Sequence, residues 1–280
     1  MILKEYRKHF VEKLQLIYPN EEINAFFYLL AESVLGLKKV EVSMQLQRPL
    51  TTEETKLLDS ALSALQKEKP IQYIIGETYF YGLPIKVDSS TLIPRPETEE
   101  LVDWIIKENS YASPEIIDIG TGTGCIAISL AKHIKNANLT AIDISEGALK
   151  IAKKNARLNN SSVEFIQTDI LQVSRLPKFY DVIVSNPPYI RNSEKQYIQK
   201  NVLSYEPHSA LFVSDIDPLL FYNKIADIAL KNLNTNGMLF FEINEAFGEK
   251  LVTLLMNKGF KNICLKKDVF GKDRMIKSTI

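Results

Sequence analysis

The stretch IIDIGTGTG, residues 116–124, joins a short apolar run to a glycine-rich turn, and the residues that follow it, CIAISLAKH, are helical in character. A brief continuous run of Ile with one acid reads as a buried parallel strand. The glycines let a ligand approach the backbone closely, at the carboxyl end of that strand. A dinucleotide fingerprint of the form GxGxxG would need glycine at 125, where Cys125 stands, and no Gly-Lys-Ser/Thr follows to make a phosphate loop.

Outward from this turn the pattern alternates. Strands are expected at 115–119, 138–143, 163–168, 181–185 and 238–243, and helices near 123–134, 146–159, 218–233 and 246–258. Such alternation predicts an α/β fold, a Rossmann-like and mostly parallel sheet with helices on both faces. Two last strands, near 261–267 and 273–280, have no helix between them and should form an antiparallel edge.

The first seventy residues read as helices. Leu3, Tyr6, Phe10, Leu14 and Ile17 recur at steps of three and four, marking one apolar face. Asn20 with Glu21 and Glu22 reads as an N-cap and acidic first turn, and Gly36 as a stop. Thr51 and Glu54 suggest a capping box opening a third helix to about Gln66. Gly82, Leu83 and Pro84 suggest a β-hairpin within 76–88, and Pro96 the start of a helix with an acidic first turn. The expected domains are a helical bundle for partner recognition over 1–75, a β-hairpin linker over 76–90, and a cofactor-binding domain over 91–280.

Composition narrows the classes of function. Of 280 residues, 34 are Lys or Arg and 34 are Asp or Glu, so the net charge is zero. A protein gripping a duplex through many phosphates usually carries a basic surplus. Residues 1–85 hold 10 basic against 11 acidic residues, while 261–280 hold six against two, a modest basic strand face. Two cysteines make no disulfide framework, and the three histidines lack metal-ligand spacing. The expectation is a cytoplasmic, metal-free, monomeric enzyme with no membrane segment.

Three acids sit at strand ends around the glycine turn. Asp118 lies on the first strand, two residues before Gly120; Asp143 ends the second; Asp169 ends the third. Each alone is an ordinary turn former. Together they describe a site for an adenosine with a cationic amino-acid tail. Asp118 disfavours phosphate and favours an ammonium group, Asp143 suits ribose hydroxyls, and Asp169 suits an adenine amine, with Ile170 against the ring. That ligand is S-adenosylmethionine. Cys125, at a helix start where a thiol pKa can fall, reads better as a small packing residue.

The fourth strand ends abruptly in VIVSNPPYI, residues 182–190. Prolines 187 and 188 donate no backbone hydrogen bond and restrict what precedes them. The Asn186 side-chain oxygen and the Pro187 carbonyl can each accept one hydrogen of a planar NH2 group. The double proline holds those acceptors rigid, and Tyr189 offers a flat face. Such a clamp aims a poor nitrogen nucleophile and stabilises the positive charge growing on it.

The pairing of GTGTG with NPPY resembles class I methyltransferases acting on planar nitrogen. PIQYIIG (70–76), FYGLPIKV (80–87), TLIPRPETE (91–99), NPPYI (186–190) and YEPHSAL (205–211) closely resemble the HemK-type release-factor glutamine methyltransferases. The likeness runs from about residue 70 to the C-terminus, and upstream it is one of layout more than of residues. It implies methylation of the glutamine amide in the Gly-Gly-Gln loop of class-1 peptide chain release factors, with the N-terminal helices helping to hold the factor. It also implies that Gly120, Thr121, Gly122, Thr123, Gly124, Asp143, Asp169 or Ile170, and Asn186 contact S-adenosylmethionine. Asn186, Pro187, Pro188 and Tyr189 would frame the substrate amide. One departure is the run Glu242-Ile243-Asn244 leading to Phe247-Gly248, where the family often shows Glu-hydrophobic-Gly and then Gln. Two other readings stay open: a nucleic-acid amino-methyltransferase, disfavoured by the neutral charge, and a factor-binding protein without catalysis, which would not need NPPY.

Overall fold

The computed structural model describes residues 1–280. In chain order its elements are α1 (Leu3–Leu14), α2 (Asn20–Leu35), α3 (Lys39–Met44), α4 (Thr52–Leu65), α5 (Ile71–Ile75), β1 (Glu77–Phe80), β2 (Leu83–Lys86) and α6 (Pro96–Glu108). Then come β3 (Glu115–Ile119), α7 (Cys125–His133), β4 (Asn138–Asp143), α8 (Glu146–Leu158), β5 (Val163–Gln167), β6 (Tyr180–Ser185), β7 (Ile190–Arg191), α9 (Lys200–Tyr205), α10 (His208–Leu211) and β8 (Phe212–Val213). The chain closes with α11 (Leu220–Asn232), β9 (Leu233–Glu242), α12 (Gly248–Asn257), β10 (Lys261–Lys267) and β11 (Asp273–Thr279).

Seven strands form one sheet in the order β10-β11-β9-β6-β3-β4-β5. β9, β6, β3, β4 and β5 pair in parallel, and β11 runs antiparallel to both β9 and β10. The expected Rossmann-like sheet with an antiparallel edge is therefore present. Chain order reverses between β3 and β6, and a parallel sheet opens a crevice beyond its strand ends at such a point.

Burial on both faces explains why the strands read as apolar runs rather than alternating ones. Neighbours on a strand point to opposite sides. Phe240 meets Trp104 of α6 edge to face at 5.4 Å, and Phe241 meets Tyr222 of α11 edge to face at 5.2 Å. Both phenylalanines are fully buried, each contributing on the order of 2 kcal/mol from burial alone.

The β1–β2 hairpin turns through Tyr81 and Gly82, both at positive φ (49° and 75°), the two-residue geometry that suits the twist of hairpin strands. Two buried asparagines, Asn155 of α8 and Asn159 just past its end, fasten it. Asn155 Oδ1 accepts from Lys86 N at 2.7 Å, while its Nδ2 donates to Lys86 O at 3.0 Å and to Thr123 O at 2.9 Å. Asn159 Nδ2 donates to Pro84 O at 2.9 Å. One amide thus completes the edge of β2 and braces the glycine turn.

The helical unit has its own core of Leu3, Tyr6, Phe10, Leu14, Phe27, Leu58 and Leu65, with Phe10 and Phe27 edge to face at 5.5 Å. Thr51 and Glu54 make the reciprocal capping box expected of them. Gly36 ends α2 at φ 68°. Two local expectations are corrected. Asn20 is the first residue of α2 rather than its cap, because extended Pro19 occupies the cap position. Ile17 lies beyond the end of α1 and is 39% exposed, so the apolar stripe stops at Leu14.

The compact units do not follow chain order. Met1–Gly76 groups with Lys200–Tyr205, and Glu77–Gln199 groups with Glu206–Ile280. Within the first unit, Tyr205 donates its hydroxyl to Lys67 O at 2.8 Å and Lys200 pairs with Glu68. The hairpin therefore belongs with the sheet, and α9 with the helices. No helix is long and apolar enough to cross a membrane.

Replacing Asn155 by Ala removes all three of its side-chain bonds and leaves the buried Thr123 carbonyl without its amide donor. A loss of about 3 kcal/mol is expected, measured by urea unfolding of the sheet unit. A loss below about 0.5 kcal/mol would mean that packing alone holds the hairpin.

Candidate functional site

The crevice at the β3/β6 reversal holds a cavity of about 280 Å3, near the small end of ligand sites. Gly120, Thr121, Gly122 and Thr123 line one side, with Asp143, Ile144, Thr168, Asp169 and Ile170 beyond them. Asn186, Pro187 and Pro188 line the other. Residues more than sixty positions apart in sequence share one cavity because β3 and β6 pair directly, Ile119 opposite Ser185. Ser185 Oγ donates to Ile119 O at 2.7 Å, tying the two strand ends together.

The loop backbone is shaped for close approach. Gly120 and Gly122 take φ of 75° and 55°, with open space where a side chain would stand. Gly120 N and Thr121 N donate to Ile142 O. Asp143 Oδ2 accepts from Gly122 N at 2.8 Å and Oδ1 from Ser145 N at 2.9 Å. Asp143 thus braces the loop while facing the cavity, and burial lifts its carboxyl above the ordinary range. Asp169 Oδ1 accepts from Leu171 N at 2.9 Å.

Three expected residues do not line the cavity. Gly124 sits behind it at φ 81°, where a Cβ would stand 3.1 Å from Ala152 Cβ. Asp118 is fully buried, and its Oδ2 accepts from Thr121 Oγ1 at 2.6 Å. Its carboxyl is bonded to the turn and does not reach the cavity lining. Tyr189 is set behind the clamp, its hydroxyl donating to Glu242 Oε1 at 3.2 Å. Cys125 does line the cavity, but burial pushes its thiol up to about 12, so it stays protonated and inert.

The sequence reading passed over the groups that hold this wall. Thr98 Oγ1 donates to Glu242 Oε2 at 2.6 Å, and Asn186 Nδ2 reaches Thr98 Oγ1 at 3.4 Å. Glu242 is buried at the end of β9, and burial raises its pKa against the opposing pull of Thr98, Arg274 and Tyr189. Arg95 Nη2 donates to Glu206 Oε1 at 2.6 Å, and Ile93 N donates to Glu206 Oε2 at 3.1 Å. That pair joins the PRPETE and YEPHSAL segments across 111 residues. A signal existed for Glu242: a carboxylate ending the apolar run MLFFE needs buried donors.

Comparison with known proteins shows the family. A Release factor glutamine methyltransferase from Flavobacterium psychrophilum is 53% identical, with 99% of each chain covered. One from Bacteroides thetaiotaomicron is 43% identical over 95% of each. The chain belongs to the release factor glutamine methyltransferase family. Residues 5–76 match the PrmC N-terminal domain and 97–208 the Methyltransferase small domain. A methyltransferase from Pyrococcus furiosus shares the fold at 19% identity, with a TM-score of 0.53, covering 82% of this chain and 98% of that one. Members of this family are methyltransferases, and this chain is one.

Burial, with a smaller push from the charge of Asp143, raises Asp118 from an ordinary carboxyl to about 7. Its folded pKa exceeds its ordinary value of 3.8, so the stability it allows is complete only below that value and falls as pH rises towards 7. Asp118→Asn carries no such penalty. The variant is expected to gain on the wild type by several degrees in melting temperature between pH 4.5 and pH 8, without added ligand. A pH-independent difference would mean that Asp118 is already ionised at pH 4.5.

Proposed function

We propose that the protein transfers a methyl group from S-adenosylmethionine to the side-chain amide nitrogen of the glutamine in the Gly-Gly-Gln motif of class-1 peptide chain release factors. The observation that carries this reading is the placing of Asn186, Pro187 and Pro188 on the wall facing the glycine turn, in one cavity. The curated relatives named for release factor glutamine methylation support it.

The residues present suit the cofactor. Gly120 and Gly122 leave backbone open where an amino-acid tail would pass. Asp143 keeps lone pairs for ribose hydroxyls, and Asp169 with Ile170 stands where an adenine would lie. When bound, S-adenosylmethionine supplies the electrophilic methyl group.

The protein's own part is positioning. The Asn186 side-chain oxygen and the Pro187 carbonyl accept the two hydrogens of the glutamine NH2, which turns the nitrogen lone pair towards the methyl. The transfer would exchange the methyl–sulfur bond of the sulfonium for the new N–C bond, leaving a neutral thioether, and these acceptors would stabilise the positive charge on nitrogen until one N–H proton passes to water. Pro188 keeps the acceptors rigid. Tyr189, held by Glu242, supports the clamp from behind.

On this reading, residues 1–75 recognise the release factor, 76–90 link the parts, and 91–280 carry the chemistry. The protein acts in the cytoplasm, as a monomer, on a protein substrate and without stable nucleic-acid binding.

The test is tritium transfer from labelled S-adenosylmethionine to a recombinant release factor, beside one whose Gly-Gly-Gln glutamine is alanine. Label on the wild-type factor alone is expected, resistant to nuclease. Label on RNA or DNA instead would sink the substrate assignment. In the enzyme, Asn186→Ala is expected to lower kcat by about 100- to 1000-fold while the factor still binds. Full activity in that variant would refute the clamp.

A further inference from the structure

Thr98 lies in the first turn of α6 and lines the cavity, yet the proposed transfer gives it no task. Its hydroxyl stands between Glu242 and Asn186, at 2.6 Å from Glu242 Oε2 and 3.4 Å from Asn186 Nδ2. A hydroxyl has one proton to give. The Glu242 carboxylate accepts, and it draws that proton in a short bond. Towards Asn186 only the lone pairs of Thr98 remain.

That arrangement decides which way the Asn186 amide faces. A side-chain amide is nearly symmetrical in shape, and only its hydrogen-bond partners distinguish oxygen from nitrogen. With Nδ2 turned to Thr98, Oδ1 is the atom left for another partner. Reversed, the amide would set its oxygen against the lone pairs of Thr98. It would also offer N–H to a substrate NH2, donor against donor.

Glu242 is well placed to anchor such a chain. It is fully buried and takes a second hydroxyl, that of Tyr189, on Oε1 at 3.2 Å. Tyr222 donates its hydroxyl to the Glu242 main-chain oxygen at 3.1 Å. Asn244 Nδ2 donates to Tyr189 O at 3.2 Å. Both ends of the Asn186–Tyr189 segment therefore lead back to Glu242 or its near neighbour in sequence.

We propose that Thr98, oriented by Glu242, is a positioning residue that holds the Asn186 amide with its oxygen rather than its nitrogen towards the substrate. The proposal rests on the reading of Asn186 as the acceptor for the glutamine NH2.

The test compares wild type, Thr98→Val and Thr98→Ser. Valine keeps the shape and removes the hydroxyl; serine keeps the hydroxyl. In Thr98→Val, kcat for release-factor methylation is expected to fall by about 10- to 100-fold. KM for the factor and the calorimetric Kd for S-adenosylmethionine should each stay within about threefold. Thr98→Ser should recover most of the rate. Near wild-type kcat in the valine variant overturns the proposal. So does a parallel weakening of cofactor binding, or equal loss in both variants, since either would mark a purely structural role. A second readout needs no substrate: in 15N spectra, an Asn186 Nδ2–H protected from exchange in the wild type should lose protection with valine and regain it with serine. No protection in the wild type overturns the orientation itself. If the wild type labels no glutamine, the reaction assigned above fails, and these spectra still judge whether Thr98 orients the amide.

Discussion

The pairing of β3 with β6 is the constraint on which the rest depends. Because chain order reverses between them, the loops leaving their carboxyl ends part to opposite sides and leave a crevice. One loop is the glycine turn and the other is Asn186-Pro187-Pro188-Tyr189. The bond from Ser185 to Ile119 O closes the register at the last residues of both strands. A slip of one residue would turn every side chain of β6 to the wrong face, and the clamp would no longer meet the cavity.

Around this pairing, buried polar groups do what apolar packing cannot. Apolar burial is non-directional and tolerates small shifts. Hydrogen bonds to a buried carboxylate or amide impose direction and are costly to leave unmade. Asn155 holds the hairpin to the glycine turn. Glu206 holds the PRPETE segment, and Glu242 holds both the helix before the sheet and the segment after β6. Glu206 and Glu242 each bond residues more than fifty positions away. The site is thus a set of loops fastened from behind by three buried anchors.

Much of the sheet was legible in the sequence. Strand runs at 115–119 and 138–143 agree with the structure to the residue, because apolar runs bounded by turns are a local signal. The glycine turn and NPPY were equally local, since each departs from what a strand or helix tolerates. Less visible were the short elements between 190 and 213, whose strands have two residues each and whose helices have six and four. Elements so short carry no period. The grouping of α9 with the helical unit was not readable either, for nothing local marks a segment that leaves one core for another.

The sequence by itself determined the residue chemistry: a glycine turn without a phosphate-loop lysine, acids at three strand ends, and paired acceptors in a donor-free double proline. It also settled the family through segments spread along the chain. Tertiary structure decided which of those residues face the cavity. It set Asp118, Gly124 and Tyr189 behind the wall, brought Thr98 to Asn186 across 88 residues and brought Glu242 to Thr98 across 144. The reason is physical. Residue type and spacing are properties of the chain, whereas the partner of a buried polar group is chosen by strand order and register, and depends on every element between them.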